Sequence, residues 1–294
     1  MHNVLRSKKA VFFLVFPGFI IFAYAVLFPI VLSIFYAMTD WSGVGGYNFV
    51  GLDNFRRVLT DKVFWHSLGN AATLGFFTVL VQHPIALFFA LLLDRIGGKG
   101  EKVFRTIFFI PCVISIVVTS RMWVSILDSQ YGLLNKVLDL LRLGFLKRQW
   151  LADPDIALFS LIFIMMWQGF GWALLIYYAG VKDLPGDVYE AAMIDGANTA
   201  QTFLRITLPL LRLVININVI WAVISSLKQM ETIYLTTNGG PGHVTQFLAN
   251  YLYIKAFNSY QYGYGNAISV FFVTVCLITT VVLNKVLKKE EDEF

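Results

Sequence analysis

The chain has 294 residues, of which 57% are apolar and only 14% charged, and its mean hydropathy is +0.68. A soluble domain is charged at about a quarter of its residues, so this composition excludes one and points to an all-α polytopic membrane protein. The length allows roughly six spans of about 20 residues plus loops, as a single transmembrane domain over residues 1–294. The net charge of +5 does not indicate a nucleic-acid partner, because Lys and Arg are scattered over the connections between apolar runs and form no stripe.

Arg6, Lys8 and Lys9 precede an apolar run over about 11–37. Ala23, Tyr24 and Ala25 resemble a cleavage site, but the run outlasts a signal-peptide core of about 7–15 residues. It reads as an uncleaved first span with the N-terminus in the cytoplasm. The polar stretch from Asp40 to His66 carries Phe55, Val58, Leu59, Phe64 and Trp65, and is expected outside, partly at the interface. A second span over 69–93 contains Gln82, His83 and Pro84. His83 there either satisfies groups freed by a proline kink, the more frequent role, or is a functional intramembrane residue.

Arg95, Lys99, Lys102 and Arg105 crowd the connection to a third span over 106–127, the signature of a cytoplasmic loop. Arg121, near that span's outer end, fits either a paired charge or a snorkelling one. The loop 128–155 carries Lys136, Arg142, Lys147 and Arg148 against the charge rule. It reads as a surface facing a binding protein or substrate, or as tolerated external cations. A fourth span over 156–179 contains Trp167, Gln168, Gly169, Gly171 and Trp172. The fifth, 208–227, contains Asn216, Asn218, Trp221, Ser225 and Ser226, with Lys228, Gln229 and Glu231 just beyond. Asn238, Gly239, Gly240 and Pro241 make an external turn. The sixth span, 266–287, ends in Lys285, Lys288 and Lys289 and places an acidic tail in the cytoplasm. Cys112 and Cys276 sit in apolar runs and read as packing, and the four histidines lack ligand spacing, so no metal is inferred.

The polar island 181–207 differs from everything around it. Pro185 suits a helix start, and Asp187 and Glu190 favour its positive end. The helix runs to about Ile194, and Gly196 supplies the permissive backbone to leave it. Asn198 and Gln201 have capping-box spacing for a second helix bearing Phe203 and Ile206 on one face. Two short helices set at an angle, with the small Ala191 and Ala192, form a knuckle suited to a partner's groove. An ordinary loop helix between spans is the alternative.

At these residues the chain resembles the permease subunits of binding-protein-dependent ABC importers. Glu190, Ala191, Ala192 and Gly196, with Ile206, Leu208 and Pro209, are similar to that family's EAA loop; Asp195, Ala197 and Phe203 are similar to its carbohydrate class. TNGGPGHVTQFLANYLYIKAF from Thr237, FVGLDNFRRVL near Phe49 and WLADPDIAL at Trp150 resemble the subunit that pairs with a second, different permease. The resemblance implies that Glu190, Ala191, Ala192, Asp195, Gly196, Ile206, Leu208 and Pro209 shape a cytoplasmic loop seated in an ATPase subunit. It also implies that the 238–241 turn faces a solute-binding protein, and that the membrane is a bacterial or archaeal inner membrane. The partners implied are a second permease subunit in a heterodimer, an ATPase dimer, the solute-binding protein, a sugar and membrane lipid. ATP and Mg would be held by the ATPase.

No nucleophile motif, metal cluster or phosphate-cradling loop appears, so no enzymatic role is expected. The six span cores hold no Asp or Glu, which disfavours an ion-coupled carrier. A polyhydroxylated solute needs aromatic faces and neutral amides or hydroxyls. Gln168, Gly169 and Trp172 on the fourth span, with Ser225, Ser226 and Gln229 on the fifth, offer these. By offset they resemble sugar-contacting positions of the maltose permease, with Met165 and Ser226 departing from its amides. Packing and helix contact is the alternative role for these residues. Another solute, such as glycerol phosphate, also stays open.

Overall fold

The computed structural model describes residues 8–289; Arg6, the acidic tail, and the side chains of Lys8, Lys9, Lys288 and Lys289 lie outside what is described. The described chain is helical, with a single isolated bridge pairing Thr39 and Phe49. In order, the helices are α1 (Lys8–Phe22), α2 (Phe28–Ala37), α3 (Asp53–Thr60), α4 (Lys62–Phe77), α5 (His83–Ile96), α6 (Gly98–Val113), α7 (Ile116–Ile126) and α8 (Leu133–Leu140). There follow α9 (Ala157–Lys182), α10 (Gly186–Ile194), α11 (Thr199–Thr202), α12 (Leu208–Leu210), α13 (Arg212–Leu227), α14 (Glu231–Leu235), α15 (Leu248–Tyr253) and α16 (Tyr262–Lys289).

Prolines shape the long helices in a repeated way. The π turns Ala23–Leu27, Thr78–Gln82 and Phe203–Thr207 each run directly into a helix whose second residue is Pro29, Pro84 or Pro209. A proline ring clashes with the carbonyl four residues back and leaves it without a donor. Widening the preceding turn by one residue relieves both problems without ending the helix. The fifth span, expected to start at 208, therefore does not begin a new helix there; Pro209 sits within the continuing helix Thr199–Leu210, behind a π turn.

Four helices are long and apolar enough to cross a membrane alone: Phe12–Ala37, Lys62–Ile96, Ala157–Lys182 and Tyr262–Leu287. The expected third and fifth spans are instead bent pairs. α6 and α7 meet at 95°, and Thr199–Leu210 meets α13 at 66°. The first break has a local cause, because Ile114 and Ser115 adopt extended backbone. Counting each bent pair as one crossing gives six.

Contacts divide the chain into two compact units, Met1–Phe64 with Leu252–Val275 and Trp65–Tyr251 with Cys276–Phe294. In the first, the amphipathic segment is tied to the start of α16. Tyr264 donates to Asp61 at 2.5 Å, and the Arg57 guanidinium lies 4.0 Å from the Tyr264 ring. In the loop before it, two donors from Asn48, backbone and side chain, hold the Asp40 carboxyl below the usual carboxylate range. The apolar face of α1 and α2 is largely exposed, while Ser33 donates to Asn266 at 2.8 Å.

The second unit holds the core that positions the site. Ala86, Ala90 and Leu93 of α5 pack against Leu174 and Tyr177 of α9, with Leu211 closing the cluster. Across from them α6 approaches α9 at Gly171, where an added Cβ would stand 2.6 Å from the Phe108 carbonyl oxygen. Any side chain there would force the two helices apart.

Candidate functional site

The island between α9 and α12 folds as its residues dictate. Pro185 is the N-cap of α10, with extended backbone, and α10 ends at Ile194. Gly196 takes φ +75°, a left-handed conformation that side chains with a Cβ resist. Asn198 and Gln201 then close the reciprocal capping box at 2.9 Å for both bonds. Tyr189 and Thr207 hydroxyls pair at 2.9 Å, pinning the first helix to the π turn after α11.

The knuckle presents a face different from the one expected. Glu190, Ala191 and Asp195 are exposed, but Ala192 is buried. Phe203, Ile206 and Leu208 are half-buried against their surroundings and Pro209 is exposed. The large outward apolar groups are Met193, 68% exposed, Ile194, 86% exposed, and Leu204, 60% exposed. Nothing in the sequence pattern singled them out.

The same end of the unit carries a charge cluster drawn from three helices. Lys182 lies 2.7 Å from Asp94 and 3.9 Å from Glu101, and Arg105 lies 3.7 Å from Glu101. Tyr178 donates to Glu101 at 2.5 Å, and both Arg105 and Lys182 sit 5.5 Å from its ring. A cavity of about 440 Å³ separates Asp94, Arg95 and Lys182 from Tyr189, Met193 and Thr202 of the island. The basic connection 94–105 and the island thus share one end.

Of the candidate path residues, four come together and two do not. Gly169, Ser225, Ser226 and Gln229 line one cavity of about 120 Å³ with Thr78, Gln82, Asn218 and Trp221. Gln168 is elsewhere: its Nε2 donates to the Ile114 carbonyl at 3.3 Å and approaches Thr119 Oγ1 at 3.4 Å. It replaces the hydrogen bonding lost at the bend between α6 and α7, as broken membrane helices require. Trp172 is 51% exposed and its ring meets Phe109 edge-on at 6.3 Å. His83, adjoining the cavity, bonds Tyr177 Oη through Nδ1 at 2.7 Å, so a side chain and not a freed backbone group satisfies it. Arg121 is exposed and makes no ion pair among the described residues.

At the far end of α13, Asn238 takes φ +51° and Gly239 φ +90°. A Cβ on Gly239 would stand 1.5 Å from Gln246 Oε1, so a side chain there would displace the Gln246 amide as well as strain the backbone. Asn70 of α4 donates to the carbonyls of Val244 and Gln246 at 2.7 and 2.9 Å, fixing the loop to the second span. That anchor, 174 residues away in sequence, left no local signal.

Residues 82–289 match the family described as binding-protein-dependent transport system inner membrane component. The chain is 36% identical over 276 residues to a protein of Pyrococcus horikoshii named as a probable ABC transporter permease, covering 93% of this chain and 94% of that one. It is 32% identical over 286 residues to the trehalose/maltose transport system permease protein MalF of Thermococcus litoralis, covering 96% and 94%. Its fold matches a chain in the crystal structure of a bacterial alginate ABC transporter in complex with an alginate pentasaccharide-bound periplasmic protein. There the TM-score is 0.82 at 22% identity, over 97% of this chain and 95% of that one.

Proposed function

We propose that this chain, which belongs to the binding-protein-dependent transport system inner membrane component family, is a permease subunit of an ATP-driven sugar importer. It is a multi-pass membrane protein and a transport subunit, not an enzyme. A solute-binding protein delivers the sugar. A second homologous permease completes the path as a heterodimer, and an ATPase dimer holding ATP and Mg drives it. The chain itself uses no cofactor. Counting each bent pair as one gives six crossings, and the positive charge of the connection 94–105 supports a cytoplasmic side for the island 181–207 and for both termini.

The observation that carries this reading is the island itself. Two capped helices joined at Gly196 present Glu190, Met193 and Ile194 to the surroundings at the end of the unit that also gathers its basic residues. Such a shape can accept a closing motion from an ATPase and pass it to α9 and α13, which it joins. A ligand or partner shifts a conformational balance only through a difference in affinity for the two states, and this chain has no second energy source in its span cores.

Uptake by proteoliposomes holding the assembled complex tests the reading. Sugar accumulation should require internal ATP and the external binding protein. Accumulation driven by an ion gradient without ATP would overturn it in favour of a secondary carrier, and preferential uptake of glycerol phosphate would overturn the choice of sugar.

A further inference from the structure

The cavity shared by α9 and α13 has a wall from the second span that the candidate path did not include. Gln82 closes the π turn Thr78–Gln82, and it is 5% exposed. Its side-chain amide makes no hydrogen bond to any described residue, and it lines the cavity opposite Gly169. Gln82 Nε2 stands 3.5 Å from where a Gly169 Cβ would be. Buried amides are nearly always paired; this one has no partner among the described residues and opens on the cavity, so it is free to bond a polar group that enters there.

What can enter is constrained by the other walls. Asn218 donates to the Val214 carbonyl at 3.2 Å, which leaves its own carbonyl oxygen as an acceptor. Ser226 donates to the Ala222 carbonyl at 2.8 Å, which leaves its oxygen as an acceptor too. Trp221 adds an aromatic face, and no Asp, Glu, Lys or Arg lines the space. Donors and acceptors of neutral groups beside an aromatic ring suit hydroxyls on a carbon ring and disfavour an ion. At about 120 Å³ the space approaches the roughly 150 Å³ that holds one six-membered ring, so it takes part of one sugar unit and not a whole oligosaccharide. Gly169 lies at the midpoint of α9, the depth at which transporters hold their solutes.

We propose that Gln82 is a specificity-determining residue of the translocation path, its amide hydrogen-bonding one hydroxyl of an uncharged sugar as that unit passes Gly169 and Asn218. This rests on the sugar-importer reading above. The π turn before Pro84 has a second consequence: the extra residue rotates Gln82 relative to a regular helix and sets its amide toward the cavity.

The test is a thermodynamic cycle on the assembled transporter in proteoliposomes with its binding protein. Maltose, trehalose and other di- and oligosaccharides are screened for uptake, and the imported sugar is then compared with its monodeoxy analogues. Wild type should discriminate against one analogue by roughly three- to tenfold, the worth of one neutral hydrogen bond. In Gln82→Met that discrimination should disappear, because sugar and analogue then lack the same bond, while Gln82→Asn should retain part of it. Complex assembly, measured by co-purification, guards against misfolding of the Met variant, and Gln82→Leu provides a second apolar replacement. Equal slowing of every sugar with discrimination intact would mean that Gln82 holds only water or packing, and would overturn the inference while leaving the importer reading in place. Wild-type uptake of no sugar would overturn both.

Discussion

Lys182, the last residue of α9, holds Asp94 of α5 at 2.7 Å across 88 positions of sequence, where the chain leaves the membrane core for the island. Glu101 and Tyr178 extend the contact to α6, so three helices are clamped beside the loop that joins α9 to α13. The pair is about two-fifths exposed, at 43% and 38%. Its worth to stability is therefore modest, about 0.2–1 kcal/mol. Its position gives it more consequence for motion than for folding.

We therefore expect Lys182→Ala to leave expression and assembly near wild type and to lower sugar uptake per ATP hydrolysed. The exchanged pair Lys182→Asp with Asp94→Lys should recover part of the coupling. Parallel measurement of ATPase rate and uptake in proteoliposomes checks both; loss of assembly in the single variant would show that the clamp is a folding element.

Glu190→Lys should reverse the exposed charge on α10 without disturbing packing, because the residue is exposed and away from the buried Ala192. ATP hydrolysis should continue uncoupled from uptake, with membrane insertion intact. Unchanged transport would count against a coupling role. Ile194→Asp, which removes the most exposed apolar group of the knuckle, should weaken co-purification with the ATPase.

Gly196→Ala meets no steric obstacle, since nothing lies within 4 Å of the added Cβ, yet φ +75° disfavours it. The conformational cost is about 1–2 kcal/mol. It should tilt α11 and reduce coupling. Asn198→Ala, which removes one arm of the capping box, should cost about 1 kcal/mol of local stability. Faster hydrogen exchange across 196–203 in both variants is the readout, and unchanged protection would contradict the local argument.

Gly239→Ala should fail more severely, because φ +90° and the Gln246 side chain both oppose a Cβ. Affinity of the solute-binding protein for the complex should fall about tenfold or more, corresponding to about 1.4 kcal/mol or above. Asn70→Leu should act in the same direction by freeing two carbonyls. A binding titration that finds both variants at wild-type affinity would remove the turn from the docking surface.

A cysteine at the exposed Ala200 should be labelled by an impermeant reagent only after the inner face is opened. Labelling in intact cells would put the island outside and end the coupling argument.

Residues close in sequence carried the local features. Pro185 starting one helix, Gly196 turning the chain and Asn198 with Gln201 capping the next are decided within a few residues, by backbone sterics and by donors that must find acceptors nearby, and the structure bears each out. Composition and apolar run length likewise determined a helical membrane protein, because a bilayer admits little else. Tertiary structure alone decided which polar side chains face a cavity. Gln168 and Gln82 carry the same amide, yet one is consumed by the bend at Ile114 and the other is left facing Gly169. It also decided the clamp of Lys182, Asp94 and Glu101, since a hydrogen bond or ion pair depends on distances between helices that no single segment encodes.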